Sequence, residues 1–216
     1  IVENNGVYGL TKGQFSATAD AGSKSKKGVV NTDSPIDLVS LALQLGATYV
    51  GRSFSGDKAQ LVPLIKGAIH HRGAAFIDVI SPCVAFNNHA GSTKSYDYVR
   101  EHNESVNRLD VIEGRAPIEI EQPDQGVIEV AQHDGSLLRL RKTAADYDPR
   151  DRIGAMNYVA HHQEQGEVVT GLLYVDPEAH DFHQHLNTVR TPLNKLATSD
   201  LCPGSAALAK LNASLR

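Results

Sequence analysis

Residues 48–80 read TYVGRSFSGDKAQLVPLIKGAIHHRGAAFIDVI, and this stretch decides the fold class. Its two ends, 48–52 and 74–80, are short runs rich in β-branched and aromatic residues, which is typical of strands. Between them, apolar residues recur at helical spacing from Asp57, a candidate N-cap, to Gly73. A strand, a helix and a strand with short connections predict a right-handed βαβ unit with parallel strands.

The residues before this unit extend the same pattern. Residues 1–5 predict a buried strand that runs into a turn, and residues 34–45 predict a helix that begins at Ser34-Pro35. We therefore expect an open parallel sheet with helices on both faces. Ligands bind at the carboxyl ends of strands in such sheets, so the expected site lies in segments 4–12 and 81–88.

The second half of the chain does not continue the alternation of parallel strands and helices. Residues 94–102 and 151–164 predict helices, and residues 126–130 and 137–140 predict two hairpin strands around His-Asp-Gly-Ser. The last residues, with three prolines, predict an extended C-terminal arm with short helices. We expect one partial domain over residues 1–216. Its predicted parts are an α/β core over about 1–125 and a hairpin, helix and arm over 126–216.

Composition argues against several function classes. The 216 residues carry 21 Lys and Arg against 25 Asp and Glu, a formal charge of −4 that disfavours nucleic acid and anionic membranes as partners. No apolar run approaches the ~20 residues of a membrane-spanning helix, and no signal peptide is evident, so we expect a cytoplasmic protein. Because the first residue is Ile1 rather than Met, we expect the protein to begin upstream. The two cysteines, Cys83 and Cys202, exclude a disulfide framework.

Three motifs together carry a family resemblance. They are NNGVYGLTKGQ at 4–14, GATYVGRSFSGD at 46–57 and IDVISPCVAFN at 77–87, and the tail adds LCPG at 201–204. This set resembles the β subunits of 2-oxoacid:ferredoxin oxidoreductases, and within them the 2-oxoglutarate type. The chain resembles their C-terminal portion.

The resemblance implies a fold and an activity. The fold is an α/β, parallel-sheet thiamine-diphosphate-binding fold with an extended C-terminal arm. The activity is oxidative decarboxylation of a 2-oxoacid, with 2-oxoglutarate giving succinyl-CoA and CO₂, and electrons passing through a [4Fe–4S] cluster to ferredoxin. The implied cofactors are thiamine diphosphate, Mg²⁺ and the cluster. The implied partners are an α subunit, ferredoxin, the 2-oxoacid and coenzyme A.

The same resemblance assigns roles by position. Asn5 matches an amide that binds Mg²⁺, and Val7 matches a residue that offers Mg²⁺ its backbone carbonyl. Both are hard oxygen ligands of the kind Mg²⁺ prefers. Lys12 matches a basic residue near the substrate carboxylate, where a mobile charge suits a dicarboxylic acid. The remaining predicted residues are Leu10 in the substrate loop and Asn4, Tyr8 and Gly9 beside the cofactor.

Cys83 matches a thiolate ligand of the [4Fe–4S] cluster. Such a cluster needs about four thiolates, and this chain has two cysteines. In family members the other ligands, a Cys-x-x-Cys pair and a further cysteine, lie upstream of the position of Ile1. The Gly-Asp-Gly that gives Mg²⁺ its carboxylate lies there too. We therefore expect these 216 residues to hold neither cofactor completely.

Three alternatives stay open. In the first, the protein has the same fold but acts on pyruvate or another 2-oxoacid. A truncated, non-catalytic fragment would keep only the interface with the α subunit. A histidine-based metal protein would use His180, His183 and His185, which are spaced H-x-x-H-x-H, although no neighbouring cysteine or carboxylate triad completes a zinc pattern.

Overall fold

The computed structural model describes residues 1–112, 127–131, 137–142, 147–202 and 204–215. The strands are β1 (Val2–Asn4), β2 (Val7–Tyr8), β3 (Gln14–Phe15), β4 (Tyr49–Phe54), β5 (Ala75–Ile80), β6 (Asn103–Ser105), β7 (Asn107–Ile112), β8 (Val127–Ala131), β9 (Leu137–Lys142) and β10 (Val168–Val175). The helices are α1 (Leu38–Gln44), α2 (Lys58–His70), α3 (Tyr96–His102), α4 (Arg152–Glu164), α5 (Phe182–His185), α6 (Thr198–Leu201) and α7 (Gly204–Ser214), with a 3₁₀ turn at Leu193–Lys195.

The central sheet is mostly parallel, which confirms the predicted fold class. Its order is β1, β5, β4, β10, β6. β1, β5 and β4 run parallel, and Asp78 of β5 lies opposite both Val2 and Arg52. β10, to which the sequence patterns assign no element, is antiparallel to β4. The chain reverses its direction in a tight turn around Gly166, so β10 runs back along helix α4, and α4 packs on β10.

Different helices cover the two faces of the sheet. α1 and α4 pack on one face around Val50 and Leu173, and α2 packs on the other around Tyr49 and Leu172. Successive residues of a strand point to opposite faces, so each strand contributes to both cores. This two-sided burial is the physical reason for the nearly continuous apolar sequences of β5 and β10.

The predicted helices are present, and one begins later than expected. Asp57 caps α2, and the helices predicted over 94–102 and 151–164 are confirmed as α3 and α4. The prediction that α1 begins at Ser34-Pro35 is wrong. The helix begins at Leu38, because the Asp37 carboxylate accepts a backbone N–H bond of the first turn at 2.6 Å and so caps it.

The first strand is less buried than expected. Among the described strands β1 pairs with β5 alone, and Val2 is 37% exposed, so the prediction of a buried strand holds only for Asn4. The strands of the predicted hairpin are confirmed as β8 and β9, which form a second, antiparallel sheet with β7. The predicted turn at 133–136 lies outside the described residues.

Two compact units emerge from the contacts, Ile1–Ala179 and His180–Arg216. The second unit contains α5, α6 and α7, in agreement with a C-terminal segment of short helices. The predicted division near residue 125 stays a prediction. Within the described ranges, no helix combines the length and the apolar character needed to cross a bilayer.

Candidate functional site

The turn that follows β1 forms the first part of the site. Asn5 Oδ1 accepts a hydrogen bond from Val7 N at 3.1 Å and so closes the turn around Gly6. Gly6 has a φ of +71°, a conformation that a residue with a Cβ adopts only at a cost. The Asn-Asn-Gly sequence thus encodes a sharp turn at the carboxyl end of β1.

The backbone of this turn directs two oxygens to the same side. Val7 lies in β2, which pairs with β3 in a small hairpin. Ser16 N donates to Gly6 O at 3.0 Å on the β3 side, whereas Val7 N turns to Asn5 Oδ1. The N–H and C=O of one strand residue point to the same side, and neighbouring residues alternate. The Val7 carbonyl therefore lies on the side of the Asn5 amide, away from β3.

The predicted substrate residues lie at the end of this hairpin. Tyr8 and Leu10 are 55% and 98% exposed, and Gly9 and Lys12 are exposed as well. Lys12 has a φ of +66°, which is uncommon for a residue other than glycine, and its N–H donates to Gly9 O at 3.1 Å. The side chains of Lys12 and Leu10, the predicted substrate residues, are free to reach a ligand, and the described residues do not bury them.

The segment after β5 lies directly against the turn. Ser81 N donates to Asn4 O at 3.0 Å, which continues the pairing of β1 with β5. Further along, the buried Asn87 side chain reaches back, and its Nδ2 donates to Asn5 O at 2.8 Å. Cys83 lies between these two contacts and is partly exposed. The fold thus brings together the two strand-end segments that the sequence singles out.

A pocket of about 260 Å³ opens beside Asn4. Three of the charged side chains that line it form an ion triad, in which Arg52 and Asp78 are buried and Asp37 is half-buried. Arg52 Nε donates to Asp78 Oδ2 at 2.9 Å, and Arg52 Nη2 donates to Asp37 Oδ2. Asp78 is fully buried, and its Oδ1 has no hydrogen-bond partner in the part of the chain that the structure describes. Carboxylates removed from water in this way require the guanidinium charge between them.

Asp37 makes the stability of the protein pH-dependent. Burial alone would raise the pKa of Asp37, but the charge of Arg52 and the N–H of Ser40 outweigh it and hold this pKa below its ordinary value of 3.8. A carboxylate with a depressed folded pKa contributes stability above its unfolded pKa and loses it as the pH falls towards the folded pKa. We expect the free energy of unfolding to decrease below about pH 4, and to decrease less steeply in Asp37→Asn. Denaturant titrations at a series of pH values measure both slopes, and equal slopes would contradict the assignment.

Lys94 and Asp20 form another wall of the pocket. Lys94 Nζ lies 3.2 Å from Asp20 Oδ2, and Thr93 Oγ1 donates to the same oxygen at 2.5 Å. The Lys94 side chain also lies against Gly6, where an added Cβ would come within 2.9 Å of Lys94 Cδ. The turn after β1 and the pocket therefore share a wall.

The structure places the predicted cofactor residues in two groups. Asn4, Asn5 and Val7 lie together at the carboxyl end of β1, whereas Tyr8 and Gly9 lie on the exposed hairpin. Asn4 Oδ1 accepts a hydrogen bond from Thr18 Oγ1 at 2.7 Å, so the amide holds the following loop in place. The cofactor and substrate roles of these residues stay predictions.

Sequence reasoning missed Asp37, Arg52, Asp78 and Asn87 as members of the site. The sequence does contain a signal for two of these residues, Arg52 and Asp78. Arg52 and Asp78 interrupt apolar runs that are predicted to be buried, and a buried charge requires a partner. Only the register of β4 and β5, which sets them side by side, identifies that partner.

The turn fits part of a magnesium site. Asn5 Oδ1 and the Val7 carbonyl are neutral, hard oxygen donors on one side of the turn, and an amide oxygen that accepts one hydrogen bond keeps a second lone pair. Across the described ranges, the His, Cys, Asp and Glu side chains form no group of three or more that would hold a metal ion, and this includes the histidines at 180–185. The described residues thus offer Mg²⁺ two ligands, and they offer an iron–sulfur cluster one nearby thiol, Cys83.

Comparison with known proteins finds a matching family model and several relatives. A family model described as the thiamine pyrophosphate enzyme, C-terminal TPP binding domain, matches residues 1–79, from β1 into β5. The 2-oxoacid:ferredoxin oxidoreductase subunit beta of Saccharolobus solfataricus is 35% identical over 185 residues, which cover 84% of this chain and 56% of that protein. The chain is similar to this β subunit over most of its own length.

Two further similar proteins extend the comparison. The 2-oxoglutarate oxidoreductase subunit KorB of Mycobacterium tuberculosis is 42% identical over 86 residues, 39% of this chain and 23% of that protein. A solved 2-oxoglutarate:ferredoxin oxidoreductase from Magnetococcus marinus, with 2-oxoglutarate, coenzyme A and succinyl-CoA bound, has a TM-score of 0.55 and 25% identity. That match covers 88% of this chain and 54% of the solved chain. The chain spans about half the length of the Saccharolobus solfataricus and Magnetococcus marinus chains, which it matches over most of its own length.

Proposed function

We propose that this chain contributes the magnesium and diphosphate end of a thiamine-diphosphate site to a 2-oxoacid:ferredoxin oxidoreductase. The assembled enzyme would convert 2-oxoglutarate and coenzyme A to succinyl-CoA and CO₂ and reduce ferredoxin. The observation that carries the proposal is the turn at Asn4–Val7. Two oxygen donors lie on one side of it, inside the segment that matches a thiamine-diphosphate-binding family.

In this proposal Asn5 Oδ1 and the Val7 carbonyl bind Mg²⁺, which in turn anchors the diphosphate of the cofactor. Thiamine diphosphate, when bound, supplies the carbon that attacks the keto group and the electron sink for decarboxylation. The work of this chain is to fix the position of the metal. Gly6 allows the sharp turn that sets the two oxygens on one side. Remaining ligands, including a carboxylate, would come from outside the described residues.

Lys12 and Leu10 are proposed to contact the substrate from the hairpin. The Lys12 ammonium is exposed at the end of a short β-hairpin, and a charge on such a segment suits the distal carboxylate of a dicarboxylic 2-oxoacid. The Magnetococcus marinus relative was solved with 2-oxoglutarate bound, which favours this substrate over pyruvate.

Cys83 is proposed as one thiolate ligand of a [4Fe–4S] cluster that passes electrons to ferredoxin. It is partly exposed and follows Ser81 and Pro82 directly after β5. The contacts of this segment with Asn4 and Asn5 would hold the cluster close to the cofactor. The Saccharolobus solfataricus relative is a β subunit, which supports an α subunit as the partner that completes the enzyme.

A single set of measurements on the complete complex tests this function. The complex is purified with its partner subunit, and coenzyme A-dependent reduction of ferredoxin is measured with 2-oxoglutarate, pyruvate and a branched-chain 2-oxoacid. We expect turnover to fall at least about a hundredfold when the distal carboxylate is absent. We also expect about four irons per β subunit, lost in Cys83→Ala.

Other results would change the assignment. Equal turnover of pyruvate would overturn the substrate but keep the reaction. A complex that holds neither thiamine diphosphate nor iron would identify a non-catalytic relative. Metal that persists in Cys83→Ala without thiamine diphosphate would favour the histidine-based site.

A further inference from the structure

We propose that Asn87 is a positioning residue for the turn that carries Asn5 and Val7, and that it couples this turn to the segment that carries Cys83. The inference rests on the proposed function, because it assigns a role toward the magnesium end of the cofactor. Asn87 itself would touch neither metal nor substrate. It would act through the Asn5–Gly6 peptide.

Both polar atoms of the Asn87 side-chain amide form a hydrogen bond, the nitrogen as donor and the oxygen as acceptor. Asn87 Nδ2 donates to Asn5 O at 2.8 Å, and Asn87 Oδ1 accepts from Ser92 Oγ at 2.7 Å. Lys94 N approaches Ser92 Oγ at 3.3 Å, which makes this hydroxyl an acceptor there and leaves its proton for Asn87. A reversed amide would place its oxygen against the Asn5 carbonyl. The side chain is 3% exposed, so water does not compete with these bonds.

The backbone of Asn87 connects to Cys83. Asn87 N donates to Cys83 O at 2.7 Å, and Phe86 N donates to the same oxygen at 3.1 Å. One residue therefore closes the turn that begins at the cysteine and, through its side chain, holds the turn after β1. A displacement of either turn would therefore act on the same buried Asn87 amide.

Gly6 is what allows this close approach. A Cβ at Gly6 would lie 2.7 Å from Asn87 Nδ2, so the amide packs onto the bare peptide of the turn. The orientation of this peptide sets the direction of the Asn5 side chain and of the next residues, including the Val7 carbonyl. Partners one step removed from metal ligands typically change metal affinity by about tenfold to a hundredfold when removed.

The test is the Mg²⁺ affinity of the complete complex at saturating thiamine diphosphate, measured by titration in wild type and variants. Asn87→Asp has the same shape but replaces the donor with an oxygen that faces the Asn5 carbonyl. We expect its Mg²⁺ dissociation constant to rise about tenfold or more. Mn²⁺ in place of Mg²⁺ provides an electron paramagnetic resonance spectrum, which we expect to change in Asn87→Asp. Asn157→Asp, at an exposed position of α4, is the matched control and should behave as wild type.

Ser92→Ala keeps the inference testable if Asn87→Asp does not fold. It removes the hydroxyl that orients the amide, and we expect a rise in the Mg²⁺ dissociation constant of several-fold, about 2 to 10. Its control is Ser55→Ala, because the Ser55 hydroxyl is buried with no hydrogen-bond partner among the described residues. Wild-type affinity and an unchanged Mn²⁺ spectrum in folded Asn87→Asp, or in Ser92→Ala when the former is unfolded, would overturn the role of Asn87 alone. A wild-type complex that binds no Mg²⁺ with thiamine diphosphate would instead overturn the proposed function together with this inference.

Discussion

Gly6→Ala is expected to abolish Mg²⁺–thiamine diphosphate binding and to lower the free energy of unfolding by about 2–4 kcal/mol. Two costs add. The φ of +71° places an alanine in the left-handed region, and its Cβ would lie 2.7 Å from Asn87 Nδ2 and 2.9 Å from Lys94 Cδ. Neither neighbour moves away cheaply, because Asn87 is held by Ser92 and the Lys94 ammonium by Asp20.

Alanine substitutions at two other glycines distinguish the backbone cost from the steric cost. Gly22 has a φ of +83°, and a Cβ added there would meet no atom within 4 Å, so Gly22→Ala isolates the backbone cost of about 1 kcal/mol. Gly9 has open space and no positive φ, so Gly9→Ala should change stability by less than about 0.5 kcal/mol. Chemical denaturation measures stability, and titration of the complete complex with Mg²⁺ and thiamine diphosphate measures binding. A Gly6→Ala protein no less stable than Gly22→Ala would show that the contact with Asn87 is unimportant.

Arg52→Met is expected to destabilise the protein by about 3–5 kcal/mol. Methionine fills much of the same volume, but it leaves the buried carboxylate of Asp78 and the half-buried carboxylate of Asp37 without their cation. Asp78 is fully buried, and its Oδ1 already has no hydrogen-bond partner among the described residues. Loss of Arg52 would therefore also remove the partner of its Oδ2. Unfolding in denaturant at about neutral pH measures the loss.

Two variants control for charge and for volume. Arg150→Met removes an exposed pair with Asp148, in which the arginine side chain is 53% exposed, and should cost less than about 1 kcal/mol. Combining Arg52→Met with Asp37→Asn and Asp78→Asn removes all three charges and should restore most of the stability. If Arg52→Met were no more harmful than Arg150→Met, the buried ion triad would not be a stabilising centre of the pocket.

Local signals in the sequence determined a large part of this fold. The apolar runs of β4 and β5, the helical spacing between them and the Asp57 cap predict a parallel unit, because these patterns record burial and hydrogen bonding within a few residues. The strand-end turn at Asn5-Gly6 was predictable for the same reason, since a positive φ and an amide-closed turn are properties of the local chain.

Contacts between distant residues required the tertiary structure. The direction of β10 depends on how α4 packs. The starting point of α1 depends on Asp37, whose carboxylate also forms an ion pair with Arg52 of β4. Likewise, nothing near Asn87 in the sequence indicates that its amide reaches Asn5, which lies 82 residues away.

Local sequence patterns therefore specify the class of fold, the family resemblance and the segments from which the candidate site is built. Only the tertiary structure decided which residues hold those segments together: the Arg52 triad beneath the pocket and the Asn87 amide between the two turns. The physical reason is that a turn or a strand is specified by neighbours in the chain. A buried charge or amide is specified by the partner that the fold places beside it, and strand register and packing set that partner.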